Sequence, residues 1–390
     1  MLMNHDILCL SSAHWDSHMS TMQQTMKRLA RSNRVLYINR PISILSSFSG
    51  NEEVPVRRQI SEMMSQPQER SANLFVATSP IVVPLRYTKF SERINYHILI
   101  RWLRKTARSL GMKPSIVWTY LPESSLIVEN VKKRLSVYHC VDDHCALGIW
   151  WNDETLIRRR ETELLKKIDL VFATSDNLHR KQSALNKNCF FIPNGAEYSL
   201  FSKVVKDDIP LPPDIQKIKK PIIGYIGTFN ADRLEVEWLE HAATHSDYSY
   251  VFIGKEVNCS LDMTIFKNFK NIYFLGFKEQ SCLPGYLKAI DVCIMPYANS
   301  TNNLSVFPLK IFEYMAAGKP IVSRQINELR RYGKYLSLVN NKEDFLNAIN
   351  KELSCDNKDK VIERMNYAKA NSWDVRVEEM SRIVENNIPS

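Results

Sequence analysis

Residues 307–322 read FPLKIFEYMAAGKPIV, and this segment sets the fold class. Pro308 suits the first turn of a helix, where the missing N–H costs nothing, and Gly318 suits the left-handed position that ends one. Pro320 then directs the chain out of the helix and into an apolar run. The segment therefore predicts a helix over 309–317 and a buried strand over 320–323, which together form a repeating unit of parallel α/β sheets.

The same alternation continues on both sides of this segment. Short β-branched and aromatic runs predict strands, and amphipathic segments between them predict helices. The predicted strands cover residues 6–11, 34–38, 74–78, 115–120, 135–140, 170–174, 189–192, 221–226, 248–253, 271–274, 291–295, 320–323 and 337–339. Near-continuous apolar strands of this kind are typical of parallel sheets covered by helices on both faces. We therefore predict an α/β protein with two doubly wound, Rossmann-like domains that face each other across a cleft.

A turn signal and a Pro-rich segment mark the predicted domain boundary. Asn194-Gly195 is a turn dipeptide after a predicted strand, and residues 203–220 are rich in Pro, Asp and Lys. The predicted segments are a first domain over 1–200, a linker over 201–220, a second domain over 221–372 and a last helix over about 373–390. We expect that last helix to pack back on the first domain.

The net charge of +10 lies entirely in the first half of the 390-residue chain. Residues 1–195 hold 27 Lys and Arg against 17 Asp and Glu, whereas residues 196–390 hold 25 of each. A basic domain beside a neutral one predicts that only the first domain meets an anionic partner, either a membrane surface or nucleic acid.

Basic residues are concentrated within 86–113, where aromatic and aliphatic residues separate them. These residues are Arg86, Lys89, Arg93, Arg101, Arg104, Lys105, Arg108 and Lys113. A basic helix that also carries Trp and aliphatic residues is typical of an interfacial membrane contact. An ordinary helix with a solvated cationic face fits the same pattern. No recognised nucleic-acid-binding module is present, so we expect no nucleic-acid partner.

Targeting and cysteine signals favour a reducing compartment. Residues 1–12 carry no basic leader segment, and no stretch reaches the roughly 18–20 apolar residues of a spanning helix. The eight cysteines include no Cys-x-x-Cys pair. Cys140 and Cys145, with His139 and His144 nearby, have a metal-like spacing, but no second ligand pair accompanies them. We expect a cytoplasmic protein, soluble or peripheral on the inner membrane face, without a metal.

Lys310 and Glu313 are the first candidates for ligand binding. In doubly wound sheets, ligands bind outside the carboxyl ends of the strands and near helix N-termini. Both residues fall in the first turn of the predicted helix and, three positions apart, project from one face. The ammonium could reach a diphosphate and the carboxylate could accept two ribose hydroxyls. A surface Lys–Glu pair on a packed helix would have the same spacing.

This segment resembles the donor-site signature of GT-B glycosyltransferases, specifically the bacterial family-4-like group that resembles the teichuronic acid glycosyltransferases. Similar pieces follow in order along both predicted domains. They are Trp15-Asp16, Gln23-Gln24 and residues 34–39, 118–122, 138–143, 173–175, 192–195, 224–228, 252–254, 275–276, 291–297 and 307–322.

The resemblance implies a nucleotide-sugar donor on the second domain and an acceptor on the first. It implies that Lys310 contacts the diphosphate, that Glu313 contacts the ribose and that Gly227 and Thr228 approach the phosphates. Arg233 is a further phosphate ligand or a solvated arginine at a helix start. The residues completing the implied donor site are Gly254, Ser305 and Phe307. Members of the family typically need no metal, because cations and the helix dipole neutralise the leaving diphosphate.

Two departures from the family pattern affect the chemistry. A glutamate usually stands eight residues before the position of Glu313, where it would touch the transferred sugar, and this chain has Ser305 there. The usual Gly-rich loop after the first strand is replaced by residues 11–16, which read SSAHWD. Retention follows from the resemblance, whereas inversion would follow from a carboxylate base.

Asp142 and Asp143 are the candidates for that base, since they follow the predicted strand 135–140. Adjacent buried carboxylates raise each other's pKa, which favours proton acceptance near neutral pH. Asp143 is preferred, and a loop or helix-capping role is the alternative for either residue. His14 and Asp16 could orient the acceptor or the donor phosphate, and His139 is expected in the core.

The resemblance thus implies a glycosyltransferase that uses a UDP- or GDP-sugar and a lipid-linked or saccharide acceptor in bacterial surface polysaccharide synthesis. A catalytically silent nucleotide-sugar-binding partner of another transferase is the alternative, because Ser305 replaces the expected glutamate.

Overall fold

The computed structural model describes residues 2–17, 19–40, 55–80, 89–144, 154–229, 233–256, 263–299 and 308–389. The chain divides into two compact units, which we describe separately. The first comprises Met1–Pro193 with Arg376–Ser390, and the second comprises Asn194–Val375.

The first unit is built on an eight-stranded sheet. Its strands are β1 (Asp6–Leu10), β2 (Arg34–Asn39), β3 (Gln68–Ser71), β4 (Leu74–Thr78), β5 (Ile116–Thr119), β6 (Leu135–Cys140), β7 (Leu170–Ala173) and β8 (Cys189–Phe191). They lie in the order β3-β4-β2-β1-β5-β6-β7-β8, and the order reverses direction between β1 and β5. All pairs are parallel except β3 with β4. The sequence did not predict β3, because its four residues are all exposed and carry no apolar signal.

The second unit has a fully parallel sheet. Its strands are β9 (Ile222–Ile226), β10 (Ser249–Ile253), β11 (Ile272–Phe274), β12 (Val292–Met295), β13 (Ile321–Arg324) and β14 (Ser337–Val339). Their order is β11-β10-β9-β12-β13-β14, with the reversal between β9 and β12. This is the doubly wound order, in which a crevice opens at the carboxyl ends of the two strands that flank the reversal.

Helices connect the strands in both units. They are α1 (Thr21–Leu29), α2 (Val56–Met63), α3 (Lys89–Ser109), α4 (Ser125–Asn130), α5 (Glu154–Leu165), α6 (Asp176–Ser183), α7 (Tyr198–Phe201), α8 (Lys203–Lys206), α9 (Pro213–Gln216), α10 (Val236–Thr244), α11 (Leu283–Ala289), α12 (Lys310–Ala316), α13 (Lys342–Cys355), α14 (Lys358–Ala370) and α15 (Trp373–Asn387). Within the described ranges, no helix is both long enough and apolar enough to cross a membrane.

Both faces of the first sheet are buried, as the near-continuous apolar strands predicted. Successive side chains of a strand point to opposite faces. Ile7 and Cys9 accordingly belong to a core with Met26 of α1, and Leu8 belongs to a second core with Leu103 of α3.

The ends of the second unit lie side by side. Ala196 N–H donates to Asn371 O at 3.1 Å, and Trp373 N–H donates to Ala196 O at 3.0 Å. A Cβ on Gly195 would lie 2.7 Å from the Trp373 nitrogen, so only glycine fits there. The structural division thus falls at Asn194, ahead of the segment 201–220 that the sequence suggests as a linker.

Segment 201–220 packs into the second unit. Phe201 and Ile215 are fully buried in its core. Tyr286 of α11 donates from its hydroxyl to Asp214 at 2.9 Å, and Lys288 contacts Asp208 at 2.9 Å. At the other end, Arg376 and the residues after it belong to the first unit, where α15 contributes its apolar face to the core.

Candidate active site

The carboxyl ends of β9 and β12 separate in the second unit. β9 pairs with β10 along its whole length, but with β12 only through Ile223 and Gly224. At the end of β9, the hydroxyl of Tyr314 from α12 takes the place of a strand partner. It accepts the N–H of Ile226 at 2.9 Å and lies 3.4 Å from the Ile226 carbonyl oxygen. The structure therefore places α12 directly at the point where the strand order reverses.

Lys310 and Glu313 lie in the first turn of α12 and contact each other. The Lys310 Nζ is 2.7 Å from Glu313 Oε2, and the two side chains are 27% and 12% exposed. The helix ends where the sequence predicts, since Gly318 has φ +68° and its N–H donates to Met315 O. A Cβ at Gly318 would lie 2.8 Å from Val361 of α14. The pair is thus presented by a helix fixed at its far end.

Gly227 and Gly254 bring the loops after β9 and β10 together. Gly227 N–H donates to Ile253 O at 2.9 Å. Gly254 has φ +154°, and a Cβ there would lie only 1.8 Å from Gly227 O. The resemblance assigns both glycines to the donor site. In the structure, Gly254 is required by the contact of one backbone with another.

Thr228 follows in the same turn, which Tyr225 holds. The Tyr225 hydroxyl donates to Thr228 O at 2.8 Å, and a Cβ on Gly227 would lie 2.8 Å from that hydroxyl oxygen. Phe229 N–H then donates to Lys255 O at 3.0 Å. The turn that follows β9 is therefore held by backbone and side-chain bonds at each of its residues.

Arg233 lies against residues from β9 and from the segment after β12. Its guanidinium contacts Tyr225 and Tyr297, with Cζ 5.8 Å from the centre of the Tyr297 ring. Its carbonyl accepts the N–H of Ala298 at 2.9 Å. Burial raises the pKa of Tyr225 and of Tyr297, so both phenols are neutral at physiological pH. Arg233 is therefore packed and not a solvated arginine at a helix start. Ser305 and Phe307 lie outside the described residues.

His14 follows β1 in the first unit and makes contacts through both ring nitrogens. Its Nδ1 accepts the N–H of Asp16 at 3.1 Å, which leaves the proton on Nε2. Nε2 lies 2.7 Å from Oε2 of Glu62 in α2. Asp16 contacts the guanidinium groups of Arg58 and Arg70, the latter at 2.8 Å. His14 and Asp16 are thus bound to α2 and β3.

Glu62 organises this edge of the first sheet, and sequence reasoning missed it. It accepts from Arg58 at 2.9 Å and from Thr78 Oγ1 at 3.1 Å, besides its contact with His14. Burial disfavours its charge, but the hydrogen bonds from His14, Thr78 and Arg58 outweigh that effect and lower the pKa of Glu62. Thr78 in turn accepts from Asn39 at 2.9 Å, which ties together the ends of β2 and β4.

Asp143 is buried just after β6 and forms an ion pair with Lys181 of α6. Sequence reasoning missed Lys181 as well. Asp142 accepts the N–H of His144 through its carbonyl at 3.1 Å. The Asp143 carboxylate is thus held by the ammonium group of Lys181.

His139 is a core residue, as the sequence predicts. It is surrounded by the rings of Trp118, Tyr120 and Phe172. Burial lowers the pKa of His139 to about 3, so the ring is neutral. Among the described residues, no group of three or more His, Cys, Asp or Glu could hold a metal ion. Cys145, the remaining member of the metal-like spacing, is outside that part of the chain.

Comparison with known sequences finds a family match within the second unit. Residues 220–354 match the family described as "Glycosyl transferases group 1". The putative teichuronic acid biosynthesis glycosyltransferase TuaH of Bacillus subtilis (strain 168) is 29% identical over 177 residues, which is 44% of this chain and 44% of that protein. The aligned part thus spans less than half the length of this relative.

Comparison with solved structures covers nearly the whole chain. Sucrose-phosphate synthase from Thermosynechococcus elongatus is 17% identical, with a TM-score of 0.68 over 98% of this chain and 99% of that one. Anabaena HepE in complex with UDP and glucose is 13% identical, with a TM-score of 0.66 over 98% and 99%. The α,α-trehalose-phosphate synthase (UDP-forming) of Burkholderia vietnamiensis is 13% identical, with a TM-score of 0.69 over 98% and 99%. The chain therefore has the GT-B fold, and its residues 220–354 are similar to the group 1 glycosyl transferases.

Proposed function

We propose that this chain transfers a sugar from a UDP- or GDP-sugar to a lipid-linked or saccharide acceptor in bacterial surface polysaccharide synthesis. The observation that carries the proposal is the Lys310–Glu313 pair, 2.7 Å apart, on the helix at the strand-order reversal of the second unit. Doubly wound sheets bind ligands at that position. The names of similar proteins support the donor class, since HepE is described in complex with UDP-glucose and TuaH with teichuronic acid biosynthesis.

The charges of the pair suit a nucleotide diphosphate. In the structure Lys310 and Glu313 neutralise each other. A bound diphosphate would draw the Lys310 ammonium to itself and leave the Glu313 carboxylate to accept hydrogen bonds from ribose hydroxyls. As the glycosidic bond breaks, negative charge develops on the diphosphate, and a positioned ammonium stabilises it. Arg233 supplies a second cation beside the ends of β9 and β12. With these two cations, we expect transfer to proceed without a divalent metal.

Calorimetric titration with UDP and GDP tests the donor site. We expect one of them to bind, and Lys310→Ala to weaken that binding by roughly 10–100-fold, the range for a charge-assisted contact. Lys342→Ala is the matched control, because Lys342 lies in the same unit but pairs with Glu237 on the surface. Absence of binding by the unmodified chain would overturn the proposal. Binding without donor hydrolysis or transfer would indicate a catalytically silent nucleotide-sugar-binding partner of another transferase. Activity that is unchanged by EDTA would support metal independence.

The acceptor proposal draws on α3. Four cations occupy one exposed face of this helix, Arg101, Arg104, Lys105 and Arg108. Within the part of the chain that the structure describes, none of the four forms an ion pair with a carboxylate; Arg104 donates to Asn130 O at 3.2 Å. Ile98 on the same helix is 41% exposed. Unbalanced cations beside an exposed aliphatic side chain fit the surface of an anionic bilayer. We therefore propose a peripheral position on the cytoplasmic membrane face.

A further inference from the structure

Where β9 separates from β12, the backbone of β9 loses its strand partner, and a side chain takes over the hydrogen bonds. Buried N–H and C=O groups require hydrogen-bond partners. At Ile226 the neighbouring strand no longer pairs, and the Tyr314 hydroxyl accepts the N–H at 2.9 Å. The same oxygen lies 3.4 Å from Ile226 O, to which it can donate. One phenol thus serves both polar groups of the last residue in β9.

This hydroxyl joins the two elements of the proposed donor site. Tyr314 follows Glu313 in α12, but it is fully buried, whereas Glu313 reaches the surface. Ile226 directly precedes Gly227 and Thr228 in the turn after β9. The position of that turn relative to the Lys310–Glu313 pair is therefore set through Tyr314.

A second phenol holds the turn from its other end. The Tyr225 hydroxyl donates to Thr228 O at 2.8 Å. Burial raises the pKa of both Tyr225 and Tyr314, so each remains a hydrogen-bond donor across the physiological range. The backbone from Ile226 to Thr228 is fixed at both ends before any ligand arrives, and such preorganisation reduces the cost of binding.

We propose that Tyr314 is a positioning residue for the donor. Its hydroxyl keeps the Ile226–Thr228 turn and the Lys310–Glu313 pair at one spacing, so that both can contact the same diphosphate. The inference rests on the proposed donor site, and it adds a role for a residue that does not itself touch the ligand. Tyr225 acts with it through Thr228.

Tyr314→Phe tests this role, because it removes a single oxygen and keeps the ring in the core. We expect the Kd for the nucleotide found above, UDP or GDP, to rise about tenfold, equivalent to about 1.4 kcal/mol. The calorimetric stoichiometry should stay unchanged, since it counts folded sites. Amide exchange at Ile226 and Gly227 should become faster. Tyr225→Phe, a second variant, should raise the same Kd by a smaller factor.

Tyr250→Phe is the matched control. Tyr250 is equally buried in the second unit, and its hydroxyl lies 3.0 Å from Ser246 Oγ, at the amino end of β10 and away from the turn. Loss of thermal stability in both variants, with a raised Kd only in Tyr314→Phe, would support positioning. An unchanged Kd in Tyr314→Phe would overturn it while leaving the donor site intact. If the unmodified chain binds neither UDP nor GDP, the donor site is wrong and this inference falls with it.

Discussion

The Nε2 atom of His14 lies 2.7 Å from Oε2 of Glu62, although 48 residues separate them in the sequence. This contact ties the loop after β1 to α2. Thr78 and Arg58 donate to the same carboxylate, which therefore holds three elements of the first unit together.

Glu62→Gln should destabilise the first unit in a pH-dependent way. The folded pKa of Glu62 lies below its ordinary value of 4.5. Its contribution is therefore present above pH 4.5 and is lost as the pH falls through the folded pKa. We expect a cost of about 1–3 kcal/mol at neutral pH, the range for a partly buried, hydrogen-bonded charge. Thermal unfolding from neutral pH down to a pH below the folded pKa of Glu62 measures it, and the curves of the variant and the unmodified chain should converge at the acidic end. Glu129→Gln is the control, because its pair with Lys167 is exposed. Parallel curves would contradict the assignment.

Gly254→Ala should disrupt the second unit. The new Cβ would lie 1.8 Å from Gly227 O, at a φ of +154° that L-residues rarely adopt. We expect a loss of about 2–4 kcal/mol, from the backbone strain and the overpacking together. Gly111→Ala gives the reference, since Gly111 also has positive φ but no atom lies within 4 Å of the place that a Cβ would take there. That variant should lose only about 1 kcal/mol. Urea unfolding compares the two, and equal losses would show that the contact between the loops is unimportant.

Neutralising the cationic face of α3 should abolish binding to anionic vesicles. The variant carries Arg101→Gln, Arg104→Gln, Lys105→Gln and Arg108→Gln. Each basic residue near a charged bilayer contributes about 1 kcal/mol, so the four together should reduce partitioning at least a hundredfold. Flotation with vesicles of phosphatidylglycerol and phosphatidylcholine measures it. Binding should weaken with salt. Nucleotide affinity should not change. Equal flotation of the variant and the unmodified chain would show that these cations are ordinary solvated surface charges with no role in membrane binding.

Asp143→Asn tests whether Asp143 is the catalytic base. If Asp143 is the base, turnover should fall by at least about a hundredfold while donor affinity is kept. Lys181→Met removes its ammonium partner and tests whether that ion pair contributes to turnover. If Asp142 is the base, Asp142→Asn should show the loss instead. NMR of the product anomer accompanies these assays, since inversion requires a base and retention does not. Full activity in both Asn variants would exclude either carboxylate.

The fold could be predicted where local signals agree. Pro308, Gly318 and the apolar run after Pro320 determine α12 and β13 almost to the residue, because helix ends and buried strands have local chemistry. β3 gave no such signal. It is a polar edge strand that exists because β4 offers it backbone partners.

The site was predicted less completely, because several of its contacts join residues far apart in the chain. Glu62 and Lys181 are polar residues on helices, with nothing local to set them apart from surface residues. Their importance comes from partners 48 and 38 residues away. The glycines show a different limit. The requirement for glycine at positions 227 and 254 was predictable. Only the structure reveals that Gly254 makes room for Gly227 O and not only for a ligand.

The isolated backbone bridge between Ala196 and Ser372 has a consequence for biosynthesis. Because the chain leaves and re-enters at neighbouring points, Asn194–Val375 is an insertion within the first unit. The ribosome completes the core of that unit only after the insertion, when it adds Val377, Met380 and Val384. At typical translation rates the wait is about 10–40 s. During this interval the nascent first unit exposes the apolar surface that α15 will cover, and transiently exposed apolar surface of this kind is prone to aggregation.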